Sequence, residues 1–243
     1  MLMHFLAAIR FITVLPLGPR DNYAPRAMIP WFPLVGLMLG GILSLFDRFA
    51  VAQWSSVTAA VLDVALLALL TGALHLDGLA DTADGLYGKR ERAQALAIMK
   101  DSRIGAMGML AVMFGLALKT VGIAGLGAER HWLLWLVPAF ARGAMLFGIR
   151  WLPYGRREEG TGFALFATPL TLKTFGGLLA VGGLSLGLGW RMVPLNLSFL
   201  FIVLLLCQFY RRKLGCITGD MLGAMVEVTE AWLFLAMSME IWQ

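Results

Sequence analysis

VTAAVLDVALLALLTGALHL, residues 57–76, is twenty residues long and carries a single carboxylate, Asp63. An α-helix needs about 20 consecutive apolar residues to cross the hydrocarbon core of a bilayer, and within lipid it satisfies every backbone N–H and C=O inside its own segment. Further segments read the same way near 32–46, 104–126, 132–151, 174–190, 195–210 and 221–241. The whole chain agrees, with 243 residues, 59% of them hydrophobic and 14% charged, and a mean hydropathy of +0.78. An ordinary soluble domain carries about 25% charged residues, so a disordered chain, a coiled coil and a typical soluble enzyme are excluded. Twenty-eight glycines point to closely packed helices instead of alternating barrel strands. The expected fold class is all-α: a polytopic transmembrane helix bundle of about six to seven spans, in one integral membrane domain over residues 1–243.

The apolar stretch 1–17 is interrupted by Arg10 and ended by Pro16 and Pro19. It is too short to span and reads as an interfacial or re-entrant helix. Charge then orients the chain. Arg20, Arg26, Lys89, Arg90, Arg92, Lys100, Arg103, Arg156, Arg157, Lys173, Arg211, Arg212 and Lys213 fall in one set of loops, against Arg48, Arg130 and Arg191 in the alternate set. The positive-inside bias makes the first set cytoplasmic. A net charge of +5 is then matched to anionic lipid, and nucleic acid is not an expected partner. Cys207 and Cys216 show no metal or disulfide spacing and read as packing residues.

The chemistry is concentrated just after the quoted span, in His75-Leu-Asp77-Gly-Leu-Ala-Asp81-Thr-Ala-Asp84-Gly85. On a helix of 3.6 residues per turn, Asp77, Asp81 and Asp84 fall within about 60° of arc. Three carboxylates entering a low-dielectric bundle repel one another and lose hydration. A divalent cation resolves that cost, and hard oxygen ligands suit magnesium or manganese.

Downstream, Lys100-Asp101-Ser102-Arg103-Ile-Gly105-Ala-Met-Gly108 opens the next span. Cations beside an acidic metal site are what phosphate esters require, and glycines there leave helix N-terminal amides approachable. A second acidic stripe, Asp220, Glu227 and Glu230, lies within about 80° of arc on the last helix. Glu227 and Glu230 sit deep enough in an apolar segment to count as functional candidates, or as carboxylates bonded to Arg142 or another helix. Asp63 stays unassigned.

The blocks HLDGLADTADG and KDSRIGAMG, the opening RFITVLPLG with WFPLVG, and the late TGDMLGAMVEVTE together resemble the bacterial cobalamin synthase (adenosylcobinamide-GDP ribazoletransferase) family, in order and over nearly the whole chain. The resemblance implies a magnesium-dependent enzyme of the bacterial cytoplasmic membrane, with its site facing the cytoplasm. It implies that adenosylcobinamide-GDP is joined to α-ribazole or its 5′-phosphate, with release of GMP and formation of adenosylcobalamin or its phosphate. Asp77, Asp81 and Asp84 are then the expected metal ligands. Asp101 is the expected general base or a second metal ligand, with Asp84 also counted as catalytic. His75, Lys100, Arg103, Asp220, Glu227 and Glu230 are the expected substrate contacts. The lipid bilayer surrounds the protein, and a homo-oligomer or other membrane proteins of the cobalamin pathway are candidate assemblies.

Two rival readings share these residues. A membrane phosphotransferase of the CDP-alcohol class would use the same metal and cations, and DTADG has the D-x-x-D-G spacing that opens that motif, although the rest of it does not follow. An ion-coupled transporter would use Asp84, Glu227 and Glu230 as carriers, but the acids cluster at one membrane edge instead of the midplane.

Overall fold

The computed structural model describes residues 1–17, 24–156, 162–167 and 169–242. Its α-helices are, in order, α1 (Leu2–Ile12), α2 (Pro25–Met28), α3 (Phe32–Gln53), α4 (Ser56–Thr71), α5 (Leu74–Leu86), α6 (Arg92–Ile98), α7 (Ala106–Ala124), α8 (Arg130–Trp151), α9 (Gly176–Leu184), α10 (Met192–Lys213) and α11 (Gly219–Met237). The all-α expectation holds.

The second expected span is broken. α4 opens on Ser55, whose side chain accepts the Thr58 N–H, and it ends at Gly72 with φ 59°. Ala73 follows at φ 56°, a left-handed conformation that costs an L-residue about 1–2 kcal/mol. Two such residues in succession turn the chain by 92° into α5. The backbone after α1 is tied to this corner, since the Val14 N–H donates to Leu70 O at 2.9 Å. The acidic block therefore does not continue the axis of α4; α5 packs across α11 and α7.

Glycine sets how closely the helices approach. A side chain on Gly36 or Gly40 of α3 would run into the α8 backbone at Pro138 and Trp135, which is the small-residue packing that membrane helices use in place of a hydrophobic drive. A Cβ on Gly122 of α7 would lie 2.7 Å from the α11 backbone at Phe234 and Leu235.

Two buried ion clusters tie the helices further. Lys119 of α7 lies 2.5 Å from Glu227 and 2.9 Å from Glu230 of α11, and Arg142 of α8 pairs with Glu230. Arg130 at the start of α8 holds Asp47 of α3 at 2.7 Å and Asp63 of α4 at 3.3 Å. Asp63, left open by its position in the sequence, is thus one arm of a buried ion cluster.

By length and hydropathy, four helical runs among the described residues could cross a membrane, or five with the bent pair counted as one span. The expected six or seven are not confirmed. α9 is nine residues long and passes through a 3-10 turn with a break at Gly189, φ 59°, before α10; α11 carries Asp220, Glu227 and Glu230 along an otherwise apolar helix. α1, at 11 residues, is too short to cross, as expected.

Candidate active site

α5 and α11 meet at two glycines. A Cβ on Gly78 would lie 2.6 Å from Asp220 O, and one on Gly223 would lie 3.3 Å from His75 Cα. This crossing brings the first turn of α5, with His75 and Asp77, against the first turn of α11, with Asp220. The helix start is fixed by Thr218, whose Oγ1 accepts the Met221 N–H and donates to Asp220 Oδ2, each at 3.2 Å.

A third segment completes the site. The Ile217 N–H donates to Pro153 O at 3.0 Å and the Gly155 N–H donates to Ile217 O at 2.8 Å, a short parallel bridge between Tyr154 and Ile217. It delivers Arg156 to Asp220, with Nη2 2.5 Å from Oδ2; the same Nη2 donates to Met99 O at 3.2 Å. The resulting cavity has a volume of about 190 Å³. His75, Asp77, Arg156 and Asp220 form its polar wall, and Phe11, Ile12, Met145, Leu165 and Leu222 its apolar wall.

The expected site residues divide into four groups. His75, Asp77 and Asp220 line the cavity, and Asp81 lies within electrostatic reach of Asp77, Asp220, Asp84 and Arg156. Asp84 instead reaches the start of α7, where Oδ2 accepts the Gly105 N–H at 2.7 Å and Oδ1 the Gly108 N–H at 2.8 Å. The amides expected to be open to a phosphate are thus covered by a carboxylate of the chain itself, and a side chain on either glycine would collide with Asp84. Such a contact stabilises a helix N-terminus by about 1–2 kcal/mol.

Lys100, Asp101 and Arg103 do not line the cavity. Asp101 forms an exposed ion pair with Arg103 at 2.6 Å and also accepts the Arg103 backbone N–H at 3.1 Å. The Arg103 guanidinium holds the Asp101 carboxyl down at about 2, which makes it a poor base in the neutral range. Glu227 and Glu230, expected to contact substrate or else to bond Arg142 or another helix, are placed in the second way: both are buried against Lys119 and Arg142 and neither lines this cavity, while Glu227 borders a separate apolar pocket with Leu79 and Phe114. Their burial required cationic partners, and those partners are on α7 and α8.

Three contributors escaped the sequence reading. Arg156 was counted only among the basic loop residues, because its role depends on the Tyr154–Ile217 bridge. Lys119 and Asp47 are ionisable residues inside apolar helices, a signal that marks a buried partner without naming it.

The donors that gather here are carboxylate oxygens with no thiol among the cavity-lining residues, which suits a hard divalent cation. Among the described residues no three acidic, His or Cys groups already close on a common point. Asp84 is held away by its two amides.

The profile of the cobalamin-5-phosphate synthase family matches residues 4–238. The chain is 36% identical to the adenosylcobinamide-GDP ribazoletransferase of Alkaliphilus metalliredigens (strain QYMF), over 95% of this chain and 93% of that protein. It is 37% identical to that of Roseiflexus sp. (strain RS-1), over 92% and 84%. The protein of the same name from Synechococcus elongatus (strain ATCC 33912 / PCC 7942 / FACHB-805) is 38% identical, over 95% and 94%. No solved structure matches the chain. A helical fold of membrane character, a cavity walled by carboxylates and an arginine, and a family match from end to end lead to one conclusion: the chain belongs to the cobalamin-5-phosphate synthase family and is a transferase of cobalamin biosynthesis.

Proposed function

We propose that the chain joins adenosylcobinamide-GDP to α-ribazole or its 5′-phosphate, releasing GMP and forming adenosylcobalamin or its 5′-phosphate, with Mg²⁺ as cofactor. The observation that carries the reading is the polar wall of the cavity, where Asp77, Asp220 and Arg156 face one space in a chain whose relatives bear that activity in their names. The location that fits is the cytoplasmic face of the bacterial inner membrane. Support comes from Lys89, Arg90, Arg92, Arg211, Arg212 and Lys213, which follow α5 and precede α11 in the way cytoplasmic loops do.

In this reading a ribose hydroxyl of the ribazole attacks the corrinoid-side phosphorus. The new P–O bond forms as the bond to GMP breaks, and the hydroxyl proton leaves. Asp77 and Asp81, with Asp220 in place of Asp84, would hold the Mg²⁺. When bound, the cation spreads the negative charge of the diphosphate. Asp84 fixes the start of α7 beside the site, and Asp101 with Arg103 shapes the turn before it. A cavity of about 190 Å³ is smaller than the roughly 300–1,000 Å³ of a drug-sized pocket. It admits the reacting phosphates while the corrin ring and guanosine remain outside. Positioning and charge stabilisation supply most of the rate.

The test is direct. Detergent-purified protein supplied with adenosylcobinamide-GDP, α-ribazole and MgCl₂ should release GMP in step with adenosylcobalamin. Absence of corrinoid product, together with turnover of a CDP-alcohol lipid and its acceptor, would refute the reading.

A further inference from the structure

Arg156 is the cation on the cavity wall among its described lining residues. Its Nη2 serves both Asp220 and Met99 O, whereas its Nε is enclosed and has no hydrogen-bond partner. His75 lines the same cavity at 2% exposure, with neither Nδ1 nor Nε2 partnered. Buried polar atoms in native proteins are nearly always bonded, and those left open call for an explanation. Unsatisfied groups on two side chains that line one cavity are explained by a polar ligand that enters it.

The ligand is anionic, because a guanidinium offers donors and no acceptor and binds phosphate oxygens in a forked geometry. The competing anion in the structure is Asp220. The Arg156–Asp220 pair is open enough to exchange, with side chains 22% and 21% exposed, in contrast to the wholly enclosed Arg142–Glu230 pair. Asp220 also stands in the field of Asp77, so a cation arriving among these carboxylates would neutralise Asp220 and make the guanidinium dispensable there.

We propose that Arg156 is the phosphate-binding residue of this cavity, and that Asp220 holds its guanidinium until a divalent cation takes over that carboxylate. The proposal rests on the transferase reading above and adds a residue to it. Arg156 binds the diphosphate of the substrate, His75 adds a contact from the same polar lining, and phosphate enters only after the cation. The sequence pointed to Lys100 and Arg103 for this role, but Arg103 is paired with Asp101 away from the cavity.

Inorganic pyrophosphate is the probe, and its binding to the detergent-purified full chain is measured by titration calorimetry without divalent metal. Asp220→Asn should bind pyrophosphate at least tenfold more tightly than wild type, since the guanidinium is released. Arg156→Gln should lose that gain when combined with Asp220→Asn, and alone should lower kcat/KM for GMP release at least a hundredfold. Arg156→Lys, which keeps the charge and the pair with Asp220 but not the fork, should recover only part of both. If the double variant binds pyrophosphate as tightly as Asp220→Asn, the gain comes from the lost acid alone and the proposal is overturned. It is equally overturned if Arg156→Gln turns over like wild type. Should Arg156→Gln not fold, the same comparison is made with Arg156→Lys, and wild-type affinity and kcat/KM in that variant refute the fork. A wild-type protein that releases no GMP sinks the transferase reading, while the pyrophosphate arm still decides the role of Arg156.

Discussion

Glu230→Gln should destabilise the protein without changing its metal requirement. The Glu230 carboxylate is fully enclosed and accepts from Lys119 at 2.9 Å and from Arg142. Lys119 keeps Glu227 at 2.5 Å when Glu230 is neutralised. Arg142 has no second acid in hydrogen-bond contact, and Glu227 reaches it only through its field. It retains a 3.4 Å contact with Pro138 O, and its Nε and Nη2 have no hydrogen-bond partner even in the intact protein. The substitution therefore leaves one buried guanidinium without a contacting counter-charge, which costs up to about 3–5 kcal/mol. For a chain of this length each kcal/mol is worth roughly 2–4 °C of Tm, so detergent-purified Glu230→Gln should unfold about 6–20 °C below wild type. Glu227→Gln should lose less, about 1–3 kcal/mol, since Glu230 still bridges Lys119 and Arg142. Replacing both partners, Arg142→Met with Glu230→Leu, should recover most of the stability, because removing a whole buried pair is far cheaper than removing half of it. In the variants that fold, the magnesium concentration for half-maximal activity should match wild type. A Tm within about 2 °C of wild type for Glu230→Gln, under 1 kcal/mol, or a raised magnesium requirement, would show that the cluster belongs to the site and not to the scaffold.

Three further outcomes follow from the site. Gly78→Ala places a Cβ 2.6 Å from Asp220 O, so α5 and α11 must separate; thermal unfolding should show a loss of about 1–3 kcal/mol and the GMP-release assay a rate at least tenfold lower, as displaced groups at a reacting centre predict. Asp77→Asn should cut turnover at least about a hundredfold with little change in Tm, whereas Asp84→Asn, which loses one of two amide contacts at α7, should lower stability by about 1 kcal/mol; equal effects of the two on Tm would contradict the separation of their roles. The Asp101 carboxyl is depressed to about 2 by Arg103, so its contribution is present at neutral pH and is lost only as pH falls through that value. Asp101→Asn should accordingly leave the acid limb of the activity profile between about pH 5 and 8 unmoved, and a shifted limb would restore Asp101 as the base.

Composition and apolar segment length settle the all-α membrane class before any contact is known, because backbone groups in lipid must be satisfied within helices and a crossing takes about 20 residues. Asp77 and Asp81 are neighbours on any helix that contains them, so their proximity is a local fact of the sequence. The same local rule included Asp84, but spacing along one helix is silent about what stands opposite. α7 stands there, and its amides take both Asp84 oxygens.

Everything that depends on two distant segments was left to the tertiary structure. The 92° corner at Gly72 and Ala73 decides that α5 crosses α11, a choice made by close backbone approach at Gly78 and Gly223 and by the burial of α11, not by any local propensity. That crossing adds Asp220 to the acids, and the Tyr154–Ile217 bridge adds Arg156. The depth of Glu227 and Glu230 was legible as a cost, since an ionised group in an apolar helix must be neutralised. What neutralises them was legible only in part: Arg142 stood among the candidates, but Lys119 did not, and the two lie 85 or more and 108 or more residues away in the chain and meet the acids only when the helices pack. Sequence fixes which groups need partners, and only the packed helices, through glycine contacts and paired charges, choose the partners.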